Sequence, residues 1–114
     1  MSDTTILHIR ETDRAVVATI QCKVFDHETT EQFRAGGKAL VDRSPQLPLL
    51  LDMGQVEFMA SLTLGVLIGL ANQMKAGDRR LVLCGISPQV RKIFKTSGIE
   101  GLFEIQETVD SALA

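Results

Sequence analysis

The sequence predicts an α/β fold, with a mixed, mostly parallel sheet of about five strands and about four helices packed against it. In the second half of the chain, short apolar runs alternate with longer helical patterns, which is typical of parallel strand–helix–strand units. The run LLLDM from Leu49 is apolar without alternation, as expected for a central strand covered on both faces. A length of 114 residues predicts a single domain over residues 1–114.

The amino-terminal half begins with a predicted hairpin, because residues 6–9 and 15–20 are short apolar runs on either side of the polar stretch RETDR. A first helix is expected to begin after the cap Asp26 and to end in DRSPQLP. A second helix should follow the central strand, over about residues 61–75, with Gly77 in a left-handed conformation at its end.

The carboxyl-terminal half contains the most explicit local signals. RLVLCGI predicts a strand, and SPQVRKIFKTSG predicts a helix with Ser87 as cap, Pro88 in the first position and Gly98 as the stop. LFEI predicts a short last strand, and ETVDSAL predicts one or two terminal helical turns. In the second helix, Gly65 and Gly69 form a GxxxG pattern, which we expect to let this helix lie close to the sheet.

Composition argues against several function classes. The net charge is −2 and the chain contains no Trp or Tyr, so neither a basic patch nor stacking aromatics favour direct binding of nucleic acid. The most apolar window, residues 58–71, is shorter than the ~20 residues of a membrane span, and MSDTTILHIRE lacks the pattern of a signal peptide. We therefore expect a cytoplasmic protein without membrane insertion.

Motifs of catalysis and metal binding are not found in the sequence. Cys22 and Cys84 have no CxxC spacing and are expected as free thiols in a reducing compartment. There is no GxSxG elbow, no phosphate loop of the GxxxxGK type and no HExxH. The expectation is a protein that is not an enzyme, with no catalytic residue, no metal site and no cofactor.

Two hydroxyl residues interrupt the apolar segment LDMGQVEFMASLTLGVLIGL where the pattern changes from strand to helix. Ser61 is expected at the amino end of the second helix, where its hydroxyl can cap free backbone N–H groups. The alternative is that Ser61 is phosphorylated, because a helix amino terminus favours a phosphate. Its charge of roughly −1.5 to −2 would disrupt an apolar interface. The residues alone leave both interpretations open.

Three blocks of the chain match the pattern of a known family: LLLDMGQVEFMASLTLGVL, RRLVLCGISPQVRKIFKTSGIEGLF and EIQETVDSAL. Together they resemble the STAS-domain family of anti-sigma factor antagonists, over most of the chain. In that family, a strand ending in Leu-Asp is followed by Val-x-Phe and by Asp-Ser-Ser/Thr-Gly-Leu-Gly. An SPxVRxxF-type helix and a GLxxLF stretch come later.

The resemblance implies the STAS fold and a partner switch. The unmodified family protein binds an anti-sigma factor that is also a serine kinase of the GHKL ATPase type, and so releases the sigma factor. The kinase phosphorylates one serine, which corresponds to Ser61, and binding is lost until a PP2C-type phosphatase removes the phosphate. The predicted partner-binding surface comprises Met59, Ala60, Ser61, Leu62, Thr63 and Leu64.

The chain departs from the family pattern beside the serine. Ala60 replaces the family's Asp, Leu62 follows the serine, and Thr63 replaces the usual Gly. These departures leave two other functions open: a docking or scaffold module that is not phosphorylated, and a cytoplasmic STAS subunit of a membrane lipid or anion transporter.

Other residues near Ser61 have secondary roles in this interpretation. Thr63 is a minor alternative acceptor of the phosphate. Asp52 is expected to form a turn or to help a kinase engage Ser61, and the apolar second helix leaves room for a homodimer.

Overall fold

A computed structural model describes residues 6–113; residues 1–5 and 114, which include the start of the segment compared with a signal peptide, lie outside this range. Seven strands and four α-helices are described, together with a short 3-10 helix at Glu100–Leu102. The strands are β1 (Leu7–Glu11), β2 (Val16–Ile20), β3 (Val24–Phe25), β4 (Leu49–Asp52), β5 (Phe58–Met59), β6 (Leu81–Cys84) and β7 (Glu104–Gln106). The helices are α1 (His27–Asp42), α2 (Ser61–Ala76), α3 (Pro88–Thr96) and α4 (Val109–Leu113).

Five of the strands form the main sheet in the order β1-β2-β4-β6-β7. Strand β1 is antiparallel to β2, and every other neighbouring pair in this sheet is parallel. The predicted α/β fold, with a mixed, mostly parallel sheet of five strands and four helices, is therefore confirmed. Strand β4 lies at the centre of the sheet, as its continuous apolar run predicts.

Helices cover the main sheet on both faces. Alternate strand residues such as Leu49 and Leu51 belong to a large core with Phe33 of α1, Leu67 of α2 and Phe94 of α3. The residues between them form a smaller core against α4, with the members Ala15, Val17, Leu50, Val82, Cys84 and Ala112. Helices α1, α2 and α3 thus pack on the same face of the sheet. Because both faces of the sheet are covered, its central strands are continuously apolar and do not alternate with polar residues.

Two of the predicted caps are present. Asp26 accepts a hydrogen bond from the backbone N–H of Thr29, whose hydroxyl accepts from the backbone N–H of Asp26 in return, so that α1 begins with a reciprocal capping box. Hydrogen bonds donated to the Asp26 carboxylate by the backbone N–H and the hydroxyl of Thr29 hold the pKa of this carboxyl below its usual value. Ser87 caps α3 through the backbone N–H of Val90, as predicted.

The carboxyl end of α2 differs from the prediction. Gly77 is the residue that ends the helix, but its φ is −88° and it is not left-handed. The left-handed residue is the next one, Asp78, with φ of 56°. Aspartate tolerates this conformation because its short polar side chain can form local hydrogen bonds. The glycine signal therefore identified the end of the helix correctly but assigned the wrong residue to the turn.

Arg79 connects the carboxyl end of α1 to the start of β6. Its guanidinium donates hydrogen bonds to the backbone carbonyls of Leu47 at 2.6 Å, Val41 at 2.7 Å and Arg43 at 3.2 Å. The carbonyl of Val41 is one of those at the end of a helix that lack an intrahelical partner. Arg79 therefore fixes the end of α1 relative to the sheet.

A second, two-stranded sheet was not predicted. Strand β3 pairs with β5 in parallel, with Val24 opposite Phe58 and Phe25 opposite Met59. This small sheet lies immediately before α1 and α2 in the sequence, and it thereby places the amino ends of the two helices side by side. Among residues 6–113, no helix is long and apolar enough to cross a membrane.

The orientation of the GxxxG pattern is also corrected. Gly65 and Gly69 are exposed, and a methyl group added to either would meet no other element of the described part of the chain within 4 Å. Both line an open groove between α1 and α2. The expectation that these glycines bring α2 close to the sheet is wrong, since buried residues such as Leu67 make that contact instead.

Replacing Gly69 with alanine should stabilise the protein. Because the added methyl meets no atom and the helix loses a flexible residue, we expect Gly69→Ala to raise the free energy of unfolding by about 1 kcal/mol. The matched change Gly36→Ala should give a smaller gain, since its methyl would lie 3.1 Å from Cδ1 of Leu7. Urea unfolding measures both. A clear loss of stability in Gly69→Ala would mean that this glycine is packed against another element.

The two thiols should react at different rates. Cys22 is partly exposed and Cys84 is buried, and both are free as predicted. Burial, with the nearby Asp52 charge as a smaller cause, raises the pKa of the Cys84 thiol from 9.0 to about 11. In the native protein at pH 8, a disulfide reagent should therefore modify Cys22 and reach Cys84 only after unfolding. Rapid reaction of a native Cys22→Ser variant would contradict this assignment.

The same shift gives a pH dependence. Because the folded pKa of Cys84 exceeds the unfolded value, the unfolded chain loses its proton first as the pH rises. The stability contributed by the protonated thiol is complete below pH 9.0 and declines toward about pH 11.

Candidate functional site at the start of helix α2

Ser61 is the first residue of α2, and its side chain is exposed. The N-cap is Ala60, which has no side chain able to accept a hydrogen bond, so the interpretation of Ser61 as the cap is wrong. Within residues 6–113, no hydrogen bond of the Ser61 hydroxyl is found. The first turn of α2 carries no acidic residue. A free hydroxyl therefore lies at a helix amino terminus whose partial positive charge is not compensated locally.

Thr63 has a different role from its neighbour. It is fully buried, and its hydroxyl donates to the backbone carbonyl of Phe25 at 2.8 Å. Since that bond uses its only proton, Thr63 must accept from the hydroxyl of Thr30, at an oxygen–oxygen distance of 2.5 Å. These bonds connect α2 to β3 and α1. The burial counts against Thr63 as an alternative site of phosphorylation.

Burial divides the six residues of the predicted partner-binding surface. Met59, Thr63 and Leu64 are buried, with Met59 only 2% exposed, and their side chains belong to the interior. Ala60 is partly buried, whereas Ser61 and Leu62 are exposed. A partner could therefore reach Ser61, Leu62 and part of Ala60 directly. The binding role of the six residues stays a prediction.

Two exposed apolar residues beside this site were missed. Val24 and Phe58 are 47% and 52% exposed, and they face each other in register on the small sheet. We call them the β3–β5 patch. The sequence carries no signal for this exposure, because Phe58 and Met59 are both apolar and only the structure distinguishes the exposed residue from the buried one.

A groove of about 890 Å³ runs between α1 and α2 and has Ser61 among its lining residues. We call it the α1–α2 groove. Its α1 wall consists of Phe33, Arg34, Gly37, Lys38 and Val41. Its α2 wall consists of Ser61, Leu62, Gly65, Val66, Gly69, Leu70 and Gln73. The charged residues of this lining are both cations, and the rest is mostly apolar or glycine.

Asp52 forms a turn, as the sequence predicts. Its Oδ1 accepts a hydrogen bond from the backbone N–H of Gly54 at 3.1 Å, just beyond the end of β4. Nothing in the geometry of residues 6–113 gathers three or more His, Cys, Asp or Glu side chains as a metal ion would require.

Removing the Thr63 hydroxyl should destabilise the protein. In Thr63→Val, the buried Thr30 hydroxyl loses its partner, while the Phe25 carbonyl keeps only the bond from the Ala60 N–H. We expect the free energy of unfolding to fall by about 1–3 kcal/mol. It should fall less in the double variant Thr30→Val/Thr63→Val than the sum of the two single changes, because the partners are lost together. Urea unfolding of the four proteins measures this, and strict additivity would contradict the network.

Comparisons with known proteins agree with this architecture. The sequence model of the STAS domain matches residues 4–112. A protein of Bordetella bronchiseptica named as anti-sigma factor antagonist BtrV is 30% identical over 102 residues, which cover 90% of this chain and 86% of the relative.

Solved structures share the fold. An anti-sigma-factor antagonist (STAS) domain protein from Planctomyces limnophilus superposes with a TM-score of 0.86 at 18% identity, covering 94% of each chain. The Bacillus cell fate determinant SpoIIAA in its phosphorylated form superposes with a TM-score of 0.69 at 25% identity, covering 93% of this chain and 95% of that one. With the sequence match over nearly its whole length, this chain belongs to the STAS-domain family.

Proposed function

We propose that the protein is an anti-sigma factor antagonist whose binding is switched off by phosphorylation of Ser61. Its partner would be an anti-sigma factor with serine kinase activity, of the GHKL ATPase type, and a PP2C-type phosphatase would restore binding. The protein would work in the cytoplasm as a binding module, with no catalytic step of its own. The observation that carries the proposal is the exposed, unbonded Ser61 hydroxyl at the start of α2.

The surroundings of Ser61 explain why a phosphate there would act as a switch. Leu62 is 42% exposed and directly follows the serine, and the exposed Phe58 precedes it on β5. A partner that covers this surface would gain free energy from burying apolar area. A phosphate would add roughly −1.5 to −2 of charge in the middle of that contact, and the charge would have to be desolvated for the partner to stay bound.

The helix terminus itself favours the phosphorylated state. Anions are stabilised at a helix amino terminus by about 0.3–1 kcal/mol. The amino terminus of α2 has neither an acidic residue in its first turn nor a capping side chain that would compensate its partial positive charge. Alanine at position 60, where the family pattern has Asp, also removes a charge that would repel a phosphate on Ser61. The substitution therefore does not argue against phosphorylation on electrostatic grounds, although a kinase that reads the acidic residue would lose a contact.

The relatives support the proposal by their names. BtrV is named as an anti-sigma factor antagonist, and SpoIIAA has been solved in a phosphorylated form. The buried position of Thr63 supports it as well. The departure from glycine there lies beneath the surface, so it changes how α2 is held without adding a side chain to the exposed site.

The switch is tested by a pull-down from lysate of the native organism, with wild type, Ser61→Ala and Ser61→Asp as baits. We expect a GHKL-type ATPase to be retained by wild type and Ser61→Ala and lost with Ser61→Asp, as read by mass spectrometry. Asn72→Asp is the matched control, since Asn72 is exposed on α2 but does not line the groove. It should retain the ATPase.

Other outcomes decide between the remaining functions. If Ser61→Asp holds the same ATPase as tightly as wild type, the phosphorylation switch is refuted and the domain is a docking or scaffold module. If all baits instead retain a membrane permease, the protein is a STAS subunit of a lipid or anion transporter.

A further inference from the structure

At two glycines, a segment bound in the α1–α2 groove could come close to the backbone of α2. Gly65 and Gly69 lie one helical turn apart on α2, and a methyl group built at either would have no atom of another described element within 4 Å. The distance between packed helices depends on the side chains at the contact, so an occupant could reach the backbone of α2 at these two glycines. A side chain at either position would fill this space, as an ordinary helical surface does.

The walls of the groove are apolar along its length. Val41 of α1 and Val66 of α2 are partly exposed in this lining, and the largely buried Phe33 and Leu70 complete its apolar part. With the glycines, they form a strip that follows the axis of α2, a helix of 16 residues. Such an elongated apolar strip between two helices matches an amphipathic helix, which buries one face along a groove through residues spaced at i, i+3, i+4 and i+7.

The charge of the groove selects among occupants. Among residues 6–113, Arg34 and Lys38 are the only charged residues of its lining, and they lie one turn apart on the α1 wall. Arg34 has an exposed carboxylate, Glu31, at 3.6 Å, a pair that contributes little. An occupant with carboxylates along the edge that faces α1 would therefore be complementary. A second copy of this chain, docked by the same groove in a two-fold arrangement, would bring the same cations and would be repelled.

We propose that the α1–α2 groove binds an amphipathic helix of a partner protein, with small residues against Gly65 and Gly69 and acidic residues against Arg34 and Lys38. The proposal rests on the proposed function only in taking the occupant to be a segment of a protein partner. It adds the chemistry of that segment and the residues that receive it. Since Ser61 lines the same groove, the occupant would lie beside the proposed switch.

The test is a titration of the 15N-labelled full chain with two synthetic peptides. The first has about 16 residues, roughly 24 Å as a helix, with an Ala and Leu stripe and Glu along one edge of the stripe. The second has Lys at every Glu position. We expect the acidic peptide to shift the amide signals of Gly37, Gly65 and Gly69 saturably, and the basic peptide to bind about tenfold more weakly.

Variants check both parts of the recognition. Gly65→Leu/Gly69→Leu should abolish the shifts at Gly37, whereas the matched control Asn72→Leu adds a leucine on α2 outside the groove and should leave them unchanged. Arg34→Glu/Lys38→Glu should invert the preference and favour the basic peptide. Circular dichroism and thermal unfolding show whether each variant keeps its fold.

Three results would overturn the proposal. They are equal affinity for the two peptides, no saturable shift in the groove with either peptide, and shifts confined to the β3–β5 patch at Val24 and Phe58. The pull-down with Ser61→Asp does not depend on these peptides. If Ser61→Asp loses the ATPase and neither peptide binds, the proposed function stands and the groove proposal is refuted. If Ser61→Asp retains the ATPase and the acidic peptide binds in the groove, the groove proposal stands and the phosphorylation switch is refuted.

Discussion

The buried hydroxyl of Thr63 anchors the first turn of α2, the turn that carries the exposed Ser61. Thr63 donates to the Phe25 carbonyl of β3 and accepts from Thr30 of α1, so three elements meet within two hydrogen bonds. Neither hydroxyl can be rehydrated in this site, because both residues are fully buried. Leaving one of these buried hydroxyls without a partner would cost more free energy than its hydrogen bond contributes to stability. The first turn of α2 is therefore held in one position. A glycine at position 63 could not make either bond.

The main sheet determines which helices can share a site. The parallel register from β2 to β7 places α1, α2 and α3 over one face, with α4 alone on the other. The small sheet of β3 and β5 then aligns the starts of α1 and α2, since each strand leads directly into its helix. The groove between the two helices, with Ser61 in its lining, follows from that alignment together with the missing side chains of Gly65 and Gly69.

Some of the signals confined to a few residues predicted the structure correctly, whereas those at Ser61, Gly77 and the GxxxG pattern did not. The capping residues Asp26 and Ser87 and the continuous apolar run of β4 depend on neighbours in the sequence, and all three are confirmed. The orientation of α2 could not be predicted, because a helix apolar on most sides gives no period that identifies its buried face. The pairing of Thr63 with Thr30 joins residues far apart in the chain, and no pattern within α2 indicates it.

The phosphorylation that we propose at Ser61 is electrostatically compatible with the occupant that we propose for the α1–α2 groove. A phosphate on Ser61 would bring roughly −1.5 to −2 of charge to a lining whose own charges are Arg34 and Lys38. It would repel the carboxylates of an acidic occupant of the same groove. An aspartate at position 60 would keep one negative charge beside the groove in the unmodified state. With alanine at position 60, the unmodified lining keeps the two positive charges of Arg34 and Lys38, and a phosphate of roughly −1.5 to −2 would nearly cancel them, so that most of the attraction for an acidic helix would be lost.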